Sequence, residues 1–330
     1  MPCQDGARLG LGGAALGNLY QPVSDAQAQS LVEAAWADGC RSFDTAPHYG
    51  HGRSEHRIGQ VLGRQRRSDY RLSSKVGRLL RPDPQAPADQ HGYVQTLPFV
   101  QHWDFSAAGI VRSVEDSLQR LGLACLDTVY LHDMDATTQG ARAEAVFRQV
   151  LDEALPALAR LKAQGVIRHL GLGVNEVAVV ARVLAHADLD AVLLAGRYTL
   201  LDTSALPALM PQLHARGVAL ALGGVFNSGM LAARIDPSRP LTFNYAPAQQ
   251  VWVERALRLQ AVADRHGVPL PAAALQFALA HPATSMVLLG PRSVQEWQAA
   301  RAAARVPIAP DFWAELRHEA LIPEHAPVPA

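Results

Sequence analysis

The sequence predicts a single α/β domain over residues 1–330, a (β/α)8 TIM barrel with long loops on the C-terminal face of its strands. Three observations predict it. Short apolar runs alternate with longer stretches of helical periodicity. The alternation gives eight strand–helix units in 330 residues, which suits a closed parallel barrel better than an open sheet. No low-complexity segment or polar linker divides the chain.

The elements follow in order. An early strand near Leu9–Leu16 precedes a helix over Asp25–Asp38. The stretch GLGGAALG invites comparison with a dinucleotide fingerprint, but no full strand precedes it, and a first barrel strand or short hairpin explains it better. Arg41–Asp44 is the second strand and Arg71–Lys75 the third, with a helix around Ser54–Leu62 between them. Leu126–His132 follows the helix Ser106–Leu121, whose Val111, Val114, Leu118 and Leu121 fall on one face. His169–Val174 follows a helix over Ala145–Gln164. Ala191–Leu194, Val218–Leu222 and Met286–Leu289 complete the series. These strands are nearly continuous apolar runs, as expected where both faces are buried. Arg78–Trp103 and Phe226–Pro247 read as loop insertions after strands, and a short helix then a Pro-rich end follow Pro310.

Composition excludes several classes. Hydrophobic residues make up 49% of the chain, enough for a large core. Thirty basic and thirty acidic residues give a formal net charge of +0 with no like-charged run. A dedicated nucleic-acid or membrane-surface binder would need a basic patch, so neither partner is expected. Cys3, Cys40 and Cys125 are scattered with no metal or dithiol spacing, so reduced thiols and no metal site are expected. The start, MPCQDGARLGLGG, lacks a basic region followed by an apolar core, and no apolar run is long enough to span a bilayer. A cytoplasmic protein is expected, as a monomer or small homo-oligomer.

Polar residues at strand ends carry the chemistry. Asp44 closes RSFD, Lys75 closes RLSSK, His132 closes VYLH, and Tyr49 lies in the loop TAPHYGHGRSE. In a parallel barrel these ends converge on one rim. A phenol ionises only near pH 10 in water. A neighbouring ammonium stabilises the phenolate, a carboxylate holds the ammonium, and an imidazole bonds the reacting oxygen. Asp44, Tyr49, Lys75 and His132 together make a tunable proton donor and acceptor.

Phe43–Gly50, with Gly52, Ser54 and Glu55, resembles the signature of the aldo-keto reductases. SSKVGR, RSVEDSLQRLG, LDTVYLHD, LKAQGVIRHLGLGVN and GPRS are similar to further family stretches, in family order over nearly the whole chain. The resemblance implies an NAD(P)-dependent oxidoreductase in which Asp44, Tyr49, Lys75 and His132 are the catalytic tetrad. Tyr49 would be the acid in reduction and the base in oxidation, and Asn175 would hold the nicotinamide carboxamide. His132-Asp133, AGRYTLLD, GGVFNSGMLA and NYAPA resemble the L-fucose and D-threo-aldose 1-dehydrogenase branch, and pyridoxal 4-dehydrogenase is similar in them. The implied reaction is oxidation of an aldose at C1 to the lactone. A pyridoxal dehydrogenase, a general aldehyde or ketone reductase, and a non-catalytic NAD(P)H-binding barrel are the alternatives.

Cofactor candidates come late in the chain. Gly223–Gly229, including Gly224, Phe226, Asn227 and Gly229, follows a strand and is flexible enough to approach a pyrophosphate. Gly290, Arg292 and Ser293 lie between a strand and a helix, where amides and a cation favour phosphate. By resemblance Arg292 faces the adenosine ribose or its 2′-phosphate. Tyr198 is placed like the family's nicotinamide-stacking aromatic, though a core tyrosine fits the residues equally. The family's Glu-Asn on the last barrel helix is here Ala299-Ala300, which leaves NAD and NADP both open. Tyr20, His48, Trp103 and Asp133 are candidates to line a polar pocket for a small sugar or aldehyde, and His102 and His281 read as surface or loop residues.

Overall fold

A computed structural model describes residues 8–236, 238–244 and 246–329. Cys3 lies outside them; Cys40 is buried and Cys125 part-buried. The first strand, β1 (Leu9–Gly12), is shorter than expected, because the chain turns into a single 3-10 turn at Ala15–Gly17. Helix α1 (Asp25–Ala37) starts at a capping box in which Ser24 Oγ accepts from Gln27 N and Gln27 Oε1 accepts from Ser24 N. Then come β2 (Ser42–Asp44), α2 (Arg53–Leu62) and β3 (Arg71–Val76).

Two expectations need correction here. Arg78–Trp103 is not a plain loop. Its ends pair as an antiparallel ribbon, β4 (Arg78–Pro82) with β5 (Phe99–Trp103). After α3 (Ala107–Leu121) and β6 (Leu126–His132), the single helix expected over Ala145–Gln164 is divided. It becomes α5 (Ala143–Gln149) and α6 (Leu155–Ala163), joined by a π-helical turn at Val150–Ala154 and preceded by the short α4 (Ala136–Gln139). Pro156, in the first turn of α6, has no N–H to continue the ladder, and the widened turn beside it absorbs the mismatch.

The remaining elements are β7 (Ile167–Val174), α7 (Val177–Leu184), β8 (Ala191–Ala195), α8 (Leu209–Ala215) and β9 (Ala219–Gly223). They are followed by the two-residue strands β10 (Thr242–Phe243) and β11 (Ala246–Pro247), then α9 (Gln250–Arg265) and α10 (Leu270–Ala280). The described chain ends with β12 (Thr284–Leu289), α11 (Val294–Ala303) and α12 (Pro310–His318). Eight strands close a barrel in the order β1-β12-β9-β8-β7-β6-β3-β2. The architecture is the (β/α)8 barrel that the alternation predicts.

Contacts divide the chain into two compact units. One is Gly10–Leu193 with Gly290–Trp297. In it β2, β3, β6 and β7 pair in parallel as neighbours, with Lys75 opposite Tyr130 and His132 opposite Gly173. Leu72, Val129, Leu131 and Leu172 on these strands have no exposed surface. The other unit comprises the described residues within Met1–Leu9, Leu194–Leu289 and Gln298–Ala330. Its core includes Leu194, Leu220, Leu275, Phe277 and Val287.

Candidate active site

Asp44, Tyr49, Lys75 and His132 come together in the first unit, at the C-terminal ends of neighbouring parallel strands. Lys75 is 1% exposed, and its Nζ donates to Asp44 Oδ2 at 2.6 Å and to Thr45 O at 2.9 Å. Ser73 Oγ donates to the other carboxylate oxygen of Asp44 at 2.7 Å. A buried ammonium persists only with partners of this kind. Lys75 Nζ also stands 4.5 Å from the centroid of the Tyr49 ring, and the His132 ring meets the same tyrosine at 6.2 Å and 84°. Burial holds the His132 imidazole well below the usual histidine range, helped by the charges of Arg78 and Lys75 and by His48, so the ring is neutral. Gly173, opposite His132, lets the neighbouring strand pack closely: a Cβ there would lie 3.2 Å from Tyr130 Cβ and in van der Waals contact with the Lys75 stem.

The loop carrying Tyr49 is fixed by close backbone approach. Gly17 and Gly50 pack so tightly that a Cβ on Gly17 would lie 2.4 Å from the Tyr49 carbonyl carbon, and one on Gly50 would lie 2.4 Å from Gly17 O. Gly50 also has a φ of 65°, in the left-handed region. Below the loop, Glu55 is fully buried and accepts from Ser74 Oγ at 2.8 Å and Arg120 Nε at 2.5 Å. Ser74 precedes Lys75, so one carboxylate ties the start of α2 to the strand that carries the lysine.

The ribbon β4–β5 folds over this constellation. Phe99 O is 2.6 Å from His51 Nδ1, Leu97 N donates to Gly50 O, and Arg53 Nη2 donates to Gln95 O at 2.6 Å. Tyr93, 3% exposed, stacks on Tyr49 at 6.1 Å and 29°. His48 lies edge-on to Tyr93 at 5.1 Å and to His132 at 5.8 Å. Arg78, opposite Trp103 in the ribbon register, lies over the indole at 4.0 Å and forms an ion pair with Asp133. Burial raises the Asp133 carboxyl above its ordinary value although Arg78 pulls the other way. Sequence reasoning missed Arg78, Tyr93, His91 and Gln101, because it read this stretch as loop. The β-branched and aromatic residues of FVQHW, Phe99, Val100 and Trp103, were the available signal.

The remaining candidates have varied surroundings. His48 and Asp133 stand beside His132, with Asp133 Oδ2 3.4 Å from His132 Nε2. Trp103 is part-buried and stacked on Phe105 at 5.8 Å. Tyr20 is 48% exposed and carried on a left-handed turn tied to Gly92 O. Asn175 Nδ2 lies 3.4 Å from Asp133 Oδ1. Of the two readings of Tyr198, the geometry favours packing: it is 1% exposed, stacked on Phe277 at 4.9 Å and edge-on to His281 at 5.4 Å. His281 is buried, not a surface residue. His102 is exposed on β5.

For a nicotinamide cofactor the residues fit in two places. In the second unit, Gly224 and Gly229 are exposed with left-handed φ values of 61° and 93°. Between them Phe226 is part-buried and Asn227 is 3% exposed, with no partner for its amide nitrogen or oxygen among the described residues. Buried amide groups need partners, and a polar ligand supplies them. In the first unit, a Cβ on Gly290 would meet no atom within 4 Å, and Ser293 caps α11 by accepting from Glu296 N at 3.2 Å. Glu296 in turn accepts from Arg292 N at 2.7 Å and pairs with its side chain at 3.6 Å. Among the described residues no group of three or more His, Cys, Asp or Glu is arranged to hold a metal ion, and no helix is long and apolar enough to cross a membrane.

The model of the aldo/keto reductase family matches residues 8–319. Pyridoxal 4-dehydrogenase of Microbacterium luteolum is 42% identical over 325 residues, 95% of this chain and 94% of that protein. D-threo-aldose 1-dehydrogenase of a Pseudomonas species is 38% identical over 325 residues, covering 96% and 94%. Among solved structures, the holo form of an aldo-keto reductase from Bacillus halodurans shares the fold with a TM-score of 0.72 at 24% identity, covering 97% of this chain and 95% of that one. With a family match along nearly its whole length and relatives of this identity, the chain belongs to the aldo/keto reductase family and is a nicotinamide-dependent oxidoreductase.

Proposed function

We propose that the protein oxidises a cyclic hemiacetal, an aldose of the L-fucose or D-threo-aldose type at C1, to the lactone. The observation that carries the reading is Lys75 held by Asp44 and Thr45 O against the ring of Tyr49, with neutral His132 on the same ring. When bound, the cofactor's nicotinamide accepts the hydride. The Lys75 charge favours the Tyr49 phenolate, which takes the hydroxyl proton of the substrate. His132, being neutral, offers a hydrogen bond to the same oxygen without competing for the proton. Asp44 keeps Lys75 charged and aimed. The ribbon covers one face of Tyr49 with Tyr93.

A second reading has its own support, the 42% identity to a pyridoxal 4-dehydrogenase. Pyridoxal carries a hydroxymethyl group beside its aldehyde and closes to a cyclic hemiacetal, as an aldose does. The same machinery serves both, and the substrate class common to them is the hemiacetal carbon.

Asn175, Gly290, Arg292 and Ser293 are proposed cofactor ligands in the first unit, and Gly224, Phe226, Asn227 and Gly229 in the second. Glu296 beside Arg292 favours NAD, because its carboxylate would repel a 2′-phosphate and can accept from a ribose hydroxyl. Tyr49→Phe tests the reaction. Turnover of L-fucose or pyridoxal, followed by nicotinamide absorbance, should fall by about a thousandfold, with cofactor affinity retained. Turnover near that of the wild type would exclude Tyr49 as the proton acceptor.

A further inference from the structure

The ribbon carries a hydrogen-bonded chain that ends on His48. Asp133, following β6 in a left-handed conformation (φ 47°), is ion-paired with Arg78 Nη2. Arg78 Nη1 donates to Gln101 Oε1 at 3.0 Å. A guanidinium can only donate, so the atom of Gln101 facing Arg78 is its oxygen, and the amide orientation is fixed. The amide nitrogen then lies 2.6 Å from His48 Nδ1. An amide nitrogen donates, so Nδ1 accepts and the ring proton must sit on Nε2.

The register of the ribbon makes this possible. Arg78 stands opposite Trp103, and Gln101 is the diagonal neighbour on the same face, two residues along β5. Burial holds His48 neutral, with Arg78, His91 and His51 acting in the same direction and the Gln101 bond opposing them. Tyr49, Tyr93 and His132 are the other titratable groups packed on the ring. Nε2, the other ring nitrogen, is left as the donor, on a side chain that is part-exposed.

We propose that Asp133, Arg78 and Gln101 are positioning residues that set His48 as an Nε2–H donor, and that this donor recognises an oxygen beside the reacting carbon of a cyclic hemiacetal. The inference deepens the proposed function and rests on it for the identity of the substrate. A hemiacetal carbon always has a second oxygen, the one in the ring. When the reacting hydroxyl is engaged by Tyr49 and His132, a donor placed 5.8 Å from the His132 ring and 6.2 Å from the Tyr49 ring, between centroids, stands where that second oxygen or a neighbouring hydroxyl would be met. A simple aldehyde has no such oxygen, so the chain discriminates in favour of ring-closed substrates.

Two measurements on the full chain test this. The first is the nitrogen spectrum of the protein labelled with ¹⁵N-histidine, with the His48 signals assigned by their loss in His48→Asn. A neutral Nε2–H ring is expected in the wild type, and an Nδ1–H ring in Gln101→Glu, whose carboxylate can only accept. The second is kinetic, with L-fucose and pyridoxal as hemiacetals and benzaldehyde, assayed in the direction of reduction, as the simple aldehyde. Gln101→Glu should lower kcat/KM for the hemiacetals about tenfold, chiefly through KM, and lower that for benzaldehyde less. An Nδ1–H or doubly protonated His48 in the wild type overturns the proposal without needing any variant to fold. Equal losses for benzaldehyde and the hemiacetals would reduce Gln101 to a structural residue. Failure of the wild type to oxidise either hemiacetal would sink the substrate reading, while the spectrum would still decide whether the chain sets the tautomer.

Discussion

Lys75 has three donor protons, and Asp44 and Thr45 O account for two of them. The lysine is thus aimed as well as charged. His132 beside it shows the opposite strategy, a titratable group kept neutral by burial and by nearby cations. This has a consequence for stability. In the unfolded chain His132 takes up a proton near pH 6.5, while the folded chain resists it until a lower pH. As pH falls through the unfolded value, the unfolded state binds the extra proton, and folding loses up to about 1.4 kcal/mol per pH unit for this group. The loss starts near pH 6.5 and stops at the folded value below it. We expect His132→Asn to flatten the acid side of a Tm–pH profile between about pH 6.5 and pH 5; an unaltered slope would mean that the folded ring protonates freely. The sequence exposed Asp44, Lys75 and His132 because a polar group ending a strand stands out against its neighbours, and Tyr49 through the motif of the loop that follows Asp44. Arg78 and Gln101 did not stand out, since their meaning lies in a cross-strand register between segments about twenty residues apart, which no local periodicity reveals.

At the scale of elements, the loop after β2 is held by a glycine pair from two different segments. The N-terminal glycine run reads locally as a turn or a first strand, and only the folded chain shows Gly17 set against Gly50. Gly17→Ala should therefore destabilise by about 1–3 kcal/mol and cut kcat at least about tenfold by displacing Tyr49. Thermal melts and turnover should move together; a stable variant with full activity would show that the approach is not required. Helix α11 makes a separate prediction. Ser293 and Glu296 satisfy its first turn and leave Arg292 paired with a carboxylate. Glu296→Gln should raise the ratio of kcat/KM with NADP to that with NAD about tenfold or more. A wild type that already prefers NADP would contradict the assignment of NAD. Element boundaries were least legible where a proline or a register shift intervened, as at Pro156, because such local breaks leave the apolar periodicity intact.

At the scale of the molecule, all eight barrel strands were visible in the sequence, because strands buried on both faces are nearly uninterrupted apolar runs. The two compact units were not visible, since each is assembled from separate stretches: the chain crosses between them after Leu9, Leu193, Leu289 and Trp297. We propose that such interleaved segments unfold together as one domain. Calorimetry should give equal calorimetric and van't Hoff enthalpies, and a fragment of residues 10–193 should fail to fold alone, because it removes Leu9 from β1 and cuts β8 after Leu193. Two resolved transitions would contradict this.

The ribbon between β3 and α3 has a consequence for how such a protein diversifies. Its tip, residues 83–98, sets Tyr93 against Tyr49 and bonds the loop beside it through Leu97 N and Gln95 O, so the tip is a cassette on which selection for a new substrate can act where Tyr93 is kept. Its base is different. Arg78 and Gln101 are wired to Asp133 and His48, so a transplanted ribbon must bring both residues with it, or the recipient inherits a histidine whose proton is on the wrong nitrogen.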